Sequence, residues 1–241
     1  MKYSDINFNN KIILITGGAG FIGSSIAFYL QDNYPDVNII IFDCFRNNEL
    51  LPNGNLLSYG HYKNLIGFKG EVICGNINSK DDLSLLSNYK FDYIFHQAAI
   101  SDTRAYNQEM VMKTNVNSFY DLLKIAKKNQ SVMVYASSAA TYGGLPSPQV
   151  EGNESPENPY GYSKLLMDQI AFRYANENPN MTIVGLRFFN VYGPREFYKA
   201  KTSSMIIQLG HQILANKSPR LFENSNKILR DFVFIEDVVQ A

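Results

Sequence analysis

Residues 15–25 read ITGGAGFIGSS. They close KIILITG (11–17), an apolar, β-rich run that reads as a strand buried on both faces of a parallel sheet. They open FIGSSIAFYLQDNY (21–34), where apolar residues recur at helical spacing. Gly18, Gly20 and Gly23 spell GxGxxG, and Gly17, Gly20 and Gly23 spell an overlapping GxxGxxG. The motif is weak alone; between a strand and a helix it is strong. Glycines let backbone N–H groups approach a pyrophosphate closely, and the helix N-terminus adds partial positive charge. The turn is expected to cradle a dinucleotide through Gly17, Gly20, Phe21, Ile22 and Gly23. No lysine stands where a triphosphate-hydrolysing loop requires one.

The pattern repeats outward from this turn. Residues 37–43 (VNIIIFD), 71–77 (EVICGNI), 91–99 (FDYIFHQAA), 132–138 (VMVYASS) and 182–191 (TIVGLRFFNV) read as further strands. Residues 81–89, about 107–128 and 159–176 read as helices between them. Alternation of this kind implies right-handed crossovers and an α/β fold, a doubly wound parallel sheet of the Rossmann type. Two stretches depart from simple connections: a long insertion at 44–70 with Pro-Asn-Gly turn signals, and a Pro/Gly/Ser-rich loop at 143–158. The dinucleotide-binding domain is expected over 1–185. A small substrate lobe is expected to begin in 186–241, interleaved with that domain, its C-terminal remainder absent.

Composition narrows the function. The 241 residues carry 22 basic and 22 acidic side chains and are 45% hydrophobic. Balanced charge gives no electrostatic case for nucleic acid or an anionic membrane as partner. No apolar run reaches the length of a membrane span, and MKYSDINFNNK at the start lacks a signal-peptide core. Cys44 and Cys74 form no CxxC pair, which fits a reducing cytoplasm. His61, His96 and His211 are isolated along the chain and read as structural, so no metal is expected.

Asp43 closes the second strand 20 residues after Gly23, where a carboxylate meets the adenosine ribose of a dinucleotide. Alone it points to NAD. Arg46, three residues on, can neutralise the 2′-phosphate of NADP, or be a solvated surface residue. Asn76 and Ile77 follow the third strand and are candidates to flank the adenine; Ile77 reads equally well as core.

The stretch NPYGYSK (158–164) holds two tyrosines and a lysine. Asn158-Pro159 reads as an N-cap followed by proline in the first turn. On a helix, positions i and i+4 share a face and i and i+2 do not. Tyr160 and Lys164 are thus neighbours, and Tyr162 points elsewhere. A nearby ammonium and the helix N-terminus are expected to lower the Tyr160 phenol towards a pKa useful in acid/base catalysis. Ser138, at the C-terminal end of the fifth strand, is placed to hydrogen-bond the same substrate oxygen.

TGGAGFIG, the Ser138–Tyr160–Lys164 set and LRFFNVYGPRE (186–196) together resemble the extended short-chain dehydrogenase/reductase family, the NAD-dependent epimerases and dehydratases. The resemblance spans essentially the whole chain. HQAAISDT, YASSAATYGG, YGYSK, NVYGPREFYKAK and LFE…RDFVFIEDV are similar to its ADP-heptose 6-epimerase members, enzymes of lipopolysaccharide core precursor synthesis. That resemblance implies a cytoplasmic isomerase acting on a small nucleotide sugar, ADP-heptose, at C6. It implies one tightly bound NADP (or NAD) per subunit and a homo-oligomer, pentameric in those relatives. It implies Lys199 as a second acid/base beside Tyr160, and Lys164 on the nicotinamide ribose. Cofactor contacts are implied at Cys44, Gln97, Ala98, Ala99, Ser101, Asn115 and Val191. Substrate contacts are implied at Ser138, Asn190, Phe222, Glu223 and Arg230. Gln97 departs from the Glu of several members. A UDP-hexose 4-epimerase using the same triad and a catalytically silent NAD(P)-binding protein are the alternatives; a sugar 4,6-dehydratase is disfavoured, because Ala139-Ala140 stand where its Asp-Glu pair belongs.

Overall fold

The structure, a computed structural model, describes residues 6–241; residues 1–5 of the polar N-terminal stretch lie outside it. A six-stranded parallel sheet runs in the order β3-β2-β1-β4-β5-β6. Its strands are β1 (Ile12–Thr16), β2 (Asn38–Asp43), β3 (Glu71–Cys74), β4 (Tyr93–His96), β5 (Val132–Ser138) and β6 (Ile183–Phe188). The helices are α1 (Phe21–Asn33), α2 (Lys80–Ser84), α3 (Gln108–Met112), α4 (Ser118–Asn129) and α5 (Pro159–Glu177). All strands run the same way, and the order in which the chain visits them reverses between β1 and β4, so the crevice at their C-terminal ends is where such sheets take ligands.

The unbroken apolar strands are explained by burial on two sides. In β1, Ile13 and Ile15 pack with Ile26, Ala27 and Leu30 of α1. Leu14, between them, faces the opposite layer with Phe119, Leu122, Met167 and Ile170. All three β1 side chains are fully buried. The β1–β4 junction is pinned at its open end, where the Thr16 hydroxyl and His96 Nδ1 hydrogen-bond at 2.7 Å. Burial holds the His96 imidazole down to about 3, so it stays neutral. It is a structural histidine.

Four differences from the sequence expectation have physical causes. The helix expected over 107–128 contains a π-helical turn at Lys113–Asn117 between α3 and α4. It carries Asn115, whose buried amide the site uses. The helix expected over 81–89 ends as α2 at Ser84 and tightens into 3-10 geometry at Leu85–Asn88. The strand expected over 182–191 is two strands. β6 ends at Phe188, and β7 (Asn190–Tyr192) leaves the main sheet to pair in parallel with β8 (Phe232–Phe234). The expected boundary at 185 falls within β6, and the chain leaves the main sheet at Phe189. Beyond it lie α6 (Met205–Leu214) and α7 (Ile235–Gln240). α7 docks back through Ile235 and Val238 against Phe21 of α1.

Candidate active site

A cleft of about 600 Å³ opens over the C-terminal ends of β1, β4 and β5. Its floor is the glycine turn. A Cβ on Gly17 would fall 2.6 Å from the Ala98 nitrogen, and one on Gly23 would fall 2.3 Å from the Gly17 carbonyl oxygen. Gly17 also has φ +70°, a conformation side chains disfavour. Packing this tight brings α1, β1 and the exit of β4 together. Gly20 is the N-cap of α1 with no capping side chain, and no acidic residue sits in that first turn. The turn thus offers unsatisfied amide N–H groups to the cleft, a suitable seat for a pyrophosphate.

Gly17, Gly20, Phe21, Ile22 and Gly23 all line the cleft, as do Asn76 and Ile77. Gln97, Ala98, Ala99 and Ser101 line it on the β4 side. The Gln97 Oε1 is buried without a hydrogen-bond partner, a polar atom left for a ligand. Asp43 and Cys44 line the β2 side. The Asp43 carboxylate accepts from the Ala19 N–H at 2.9 Å and the Phe45 N–H at 2.7 Å. Its burial pushes its pKa up against those two bonds. The residues present therefore fit a dinucleotide.

The four residues expected to be catalytic converge from three elements. Ser138 ends β5, Tyr160 and Lys164 lie in the first turns of α5, and Lys199 lies in a 3-10 segment, Glu196–Thr202; all four face the cleft. The Asn158 side chain caps α5 by accepting from the Gly161 N–H at 2.9 Å, with Pro159 following. Gly161 lets α5 approach β5: a Cβ there would meet the Ala140 oxygen at 2.4 Å. Tyr162 is exposed, on the other face.

The electrostatics differ from expectation at Tyr160. Burial raises its phenol above the ordinary value, opposed by a hydrogen bond with Ser138. Lys164 does not bring it down. Its Nζ is committed to the Ala136 carbonyl at 2.7 Å and sits 5.9 Å from the tyrosine ring centroid. Burial lowers the Lys164 ammonium to about 8, with Asp168 opposing. Lys199 is also lowered by burial, against the field of Glu196.

Five expected site residues are not brought into the cleft lining. The Arg46 guanidinium donates to the Tyr198 carbonyl instead. Asn115 is fully buried behind the site: its amide bridges the Ile100 N–H (2.9 Å), the Ile100 carbonyl (3.0 Å) and the Ser163 hydroxyl (2.9 Å). It holds the β4 exit against α5, and so acts through its neighbours. Phe222, Glu223 and Arg230 are solvent-exposed beyond β7. Asn190 and Val191 do line the cleft.

The sequence reading missed one wall. Asn47, Glu49, Leu57, Ser58 and Tyr59 of the 44–70 insertion line the cleft. The insertion is anchored by Leu51 packed on Ile100, Ala105 and Val111, and by Asn53 and Asn55 donating to Asp102 at 2.8 and 2.5 Å. Six asparagine, proline and glycine residues in 47–55 marked turns; nothing in them marked a destination. Among the described residues no cluster of His, Cys, Asp and Glu can hold a metal ion, and no helix is long and apolar enough to cross a membrane.

A glycine turn at the switch point, with serine, tyrosine and lysine at the ends of β5 and α5, defines a dinucleotide-dependent enzyme acting on a carbinol or carbonyl carbon. A model of the NAD dependent epimerase/dehydratase family matches residues 13–241, and the chain belongs to that family. Within it, the chain is 36% identical over 233 residues to the ADP-L-glycero-D-manno-heptose-6-epimerase of Brachyspira hyodysenteriae, covering 95% of this chain and 70% of the relative. It is similar to the crystal structure of the Helicobacter pylori ADP-L-glycero-D-manno-heptose-6-epimerase, with TM-score 0.91 and 52% identity over 100% of this chain and 74% of that one. A more distant likeness, 26% identical with TM-score 0.76, is UDP-glucuronic acid 4-epimerase from Bacillus cereus in complex with UDP-glucuronic acid and NAD; it covers 95% of this chain and 70% of that one.

Proposed function

We propose that the chain inverts C6 of ADP-glycero-manno-heptose, interconverting the D-glycero and L-glycero forms as an isomerase. The observation that carries this reading is the pairing of Tyr160 and Lys199 in one cleft, from different elements and with opposite shifts. Inversion at a carbinol carbon passes through a ketone that must present its other face, so its oxygen needs a proton partner in two places. Burial keeps the Tyr160 phenol protonated, which suits it to give a proton to a carbonyl oxygen. Burial makes the Lys199 ammonium easier to deprotonate, which suits its amine to take one from a hydroxyl. Environments that push two titratable groups apart assign them acid and base roles. Run in reverse, the roles exchange. Ser138 hydrogen-bonds the substrate oxygen, and Lys164, fixed on Ala136, orients the nicotinamide ribose.

A nicotinamide held there would supply reversible acceptance and return of a hydride. The chain's own part is to hold the two rings, exclude water and move the hydroxyl proton. We read the dinucleotide as NADP, with NAD the alternative. Each Asp43 oxygen accepts one backbone N–H and keeps a lone pair for the adenosine ribose. Asn190 is the cleft-lining substrate contact; Phe222, Glu223 and Arg230 lie farther out and meet the heptose only if the outer lobe moves inward.

The test is incubation of the protein with ADP-D-glycero-D-manno-heptose and, separately, UDP-galactose, in D2O with NADP+ or NAD+. C6 inversion of the heptose without deuterium at C6 is expected, because the hydride is returned rather than exchanged. Conversion of UDP-galactose alone overturns the reading. Mass spectrometry of dinucleotide released on denaturation identifies the cofactor.

A further inference from the structure

We propose that the 44–70 insertion works as a clamp that positions Lys199, with His61 and Arg46 as its positioning residues. The inference rests on the proposed acid/base role of Lys199.

The residue next to Lys199 is held from two sides. The His61 ring stacks on the Tyr198 ring at 3.9 Å between centroids and 9° between planes. The Arg46 guanidinium donates to the Tyr198 carbonyl. Both partners come from the insertion, 152 and 137 residues earlier in the chain. A third tie lies just upstream, where Arg195 donates to the Asn64 carbonyl at 2.5 Å and covers the Phe28 ring at 3.8 Å.

The clamp is built on rigid ground. The His61 N–H and the Asn64 side-chain amide both donate to the Ala19 carbonyl, at 3.0 and 3.1 Å. Ala19 belongs to the glycine turn and is fully buried. A continuous path therefore runs from the phosphate-binding turn, through residues 61–64, to the backbone that carries Lys199.

That backbone needs holding. Arg195 and Ala200 flank it with φ +73° and +51°, values that cost energy for residues with a Cβ. Inside the segment, hydrogen bonds are short-range: Thr202 to the Lys199 carbonyl, and Ser203 to the Ala200 carbonyl, both 2.8 Å. Such bonds shape the turn without fixing its position over the cleft. The clamp supplies that position, and a displacement of about 1 Å at an acid/base group can cost ~100-fold in rate.

Two substitutions at His61 separate its roles, because its Nδ1 also caps residues 62–65 by accepting from the Lys63 N–H. His61→Phe keeps a ring against Tyr198 and loses the cap. His61→Asn keeps a capping oxygen and loses the ring. Hydrogen exchange of the intact chain is read over 197–203, with β1 to β5 as internal control. His61→Asn is expected to speed exchange there about tenfold, and His61→Phe to stay within about twofold of wild type. Tyr198→Leu, which removes the ring from the other side, is expected to match His61→Asn. Unchanged exchange in both His61→Asn and Tyr198→Leu overturns the clamp and leaves the Lys199 role standing. In the heptose assay, His61→Asn is expected to lower kcat about 10- to 100-fold with KM within about threefold and a displaced pH limb. Full turnover by Lys199→Met, in contrast, overturns the Lys199 role, and the clamp's purpose with it.

Discussion

Lys164 and Tyr160 lie one turn apart on α5, yet the lysine Nζ is 5.9 Å from the tyrosine ring centroid and bonds to the Ala136 carbonyl instead. The ammonium is therefore a fixture of the β5 end, placed between the sheet and the cleft. Holding a cation in that buried place has a cost that pH reveals.

Lys164 ionises at about 8 when folded against 10.5 when free. Between those values the unfolded chain binds more protons than the folded one, so stability rises with pH across that window. The penalty is fully present below pH 8 and is about 3 kcal/mol. Lys164→Met removes the titrating group while other ionisations remain common to both proteins. Urea midpoints measured from pH 7 to pH 10 are expected to climb more steeply for wild type than for the variant. Parallel curves would show that Lys164 does not titrate in this window.

Tyr160→Phe isolates the phenol. The ring and its packing stay, and the hydrogen bond with Ser138 goes. Turnover of the heptose is expected to fall about 10²- to 10⁴-fold, the usual worth of a positioned acid/base group. Dinucleotide affinity, measured by calorimetry, is expected to change less than about threefold. Loss of both together would mean that the ring, rather than its hydroxyl, matters.

Gly161 tests how closely α5 must approach β5. An alanine there drives its Cβ to 2.4 Å from the Ala140 carbonyl oxygen, a backbone atom that cannot swing aside. Gly161→Ala is expected to destabilise by about 1–3 kcal/mol despite alanine's better helix propensity. Because Tyr160 precedes it, activity should fall further than stability accounts for. A melting temperature at or above wild type would show that the helix has room to shift.

Much of this was legible because it depends on local rules. ITGGAGFIGSS needs only its own neighbours to become strand, turn and helix, and NPYGYSK carries its cap, its proline and its i,i+4 pair within seven residues. β1 and β2 were visible because burial on both faces demands uninterrupted apolar runs. What escaped the sequence is long-range. No periodicity shows that the main sheet ends at Phe188 before β7 begins another, since the apolar run LRFFNV is continuous. Nor does any local signal show that His61 seeks Tyr198, or that the insertion walls the cleft. The expected lowering of Tyr160 failed because spacing gives neighbours, whereas the carbonyl of Ala136 decides where the lysine's charge is held.

Asp168 lies one turn beyond Lys164 and gathers three elements beneath the site. Its carboxylate accepts from the Tyr135 hydroxyl at 2.8 Å, the Ser137 hydroxyl at 2.9 Å and the Arg187 Nε at 2.9 Å. Arg187 continues to Glu154 of the 143–158 loop at 2.6 Å and covers the Tyr142 ring at 4.9 Å. The arginine and both carboxylates are largely buried, so deleting Asp168 leaves two hydroxyls and a guanidinium short of partners. Asp168→Ala is expected to cost about 3–5 kcal/mol, as removal of one member of a buried pair does. Asp168→Asn keeps the size and some acceptors but loses the charge, so it should fall between. Asp168 also opposes the lowering of Lys164, so both variants should push the lysine lower, and the rise in stability that wild type shows between pH 8 and 10.5 should then begin below pH 8. Denaturation curves at pH 6, 7 and 8 check this: a variant whose stability already climbs between 6 and 8, where wild type is flat, confirms that Asp168 sets the lysine's ionisation as well as the packing.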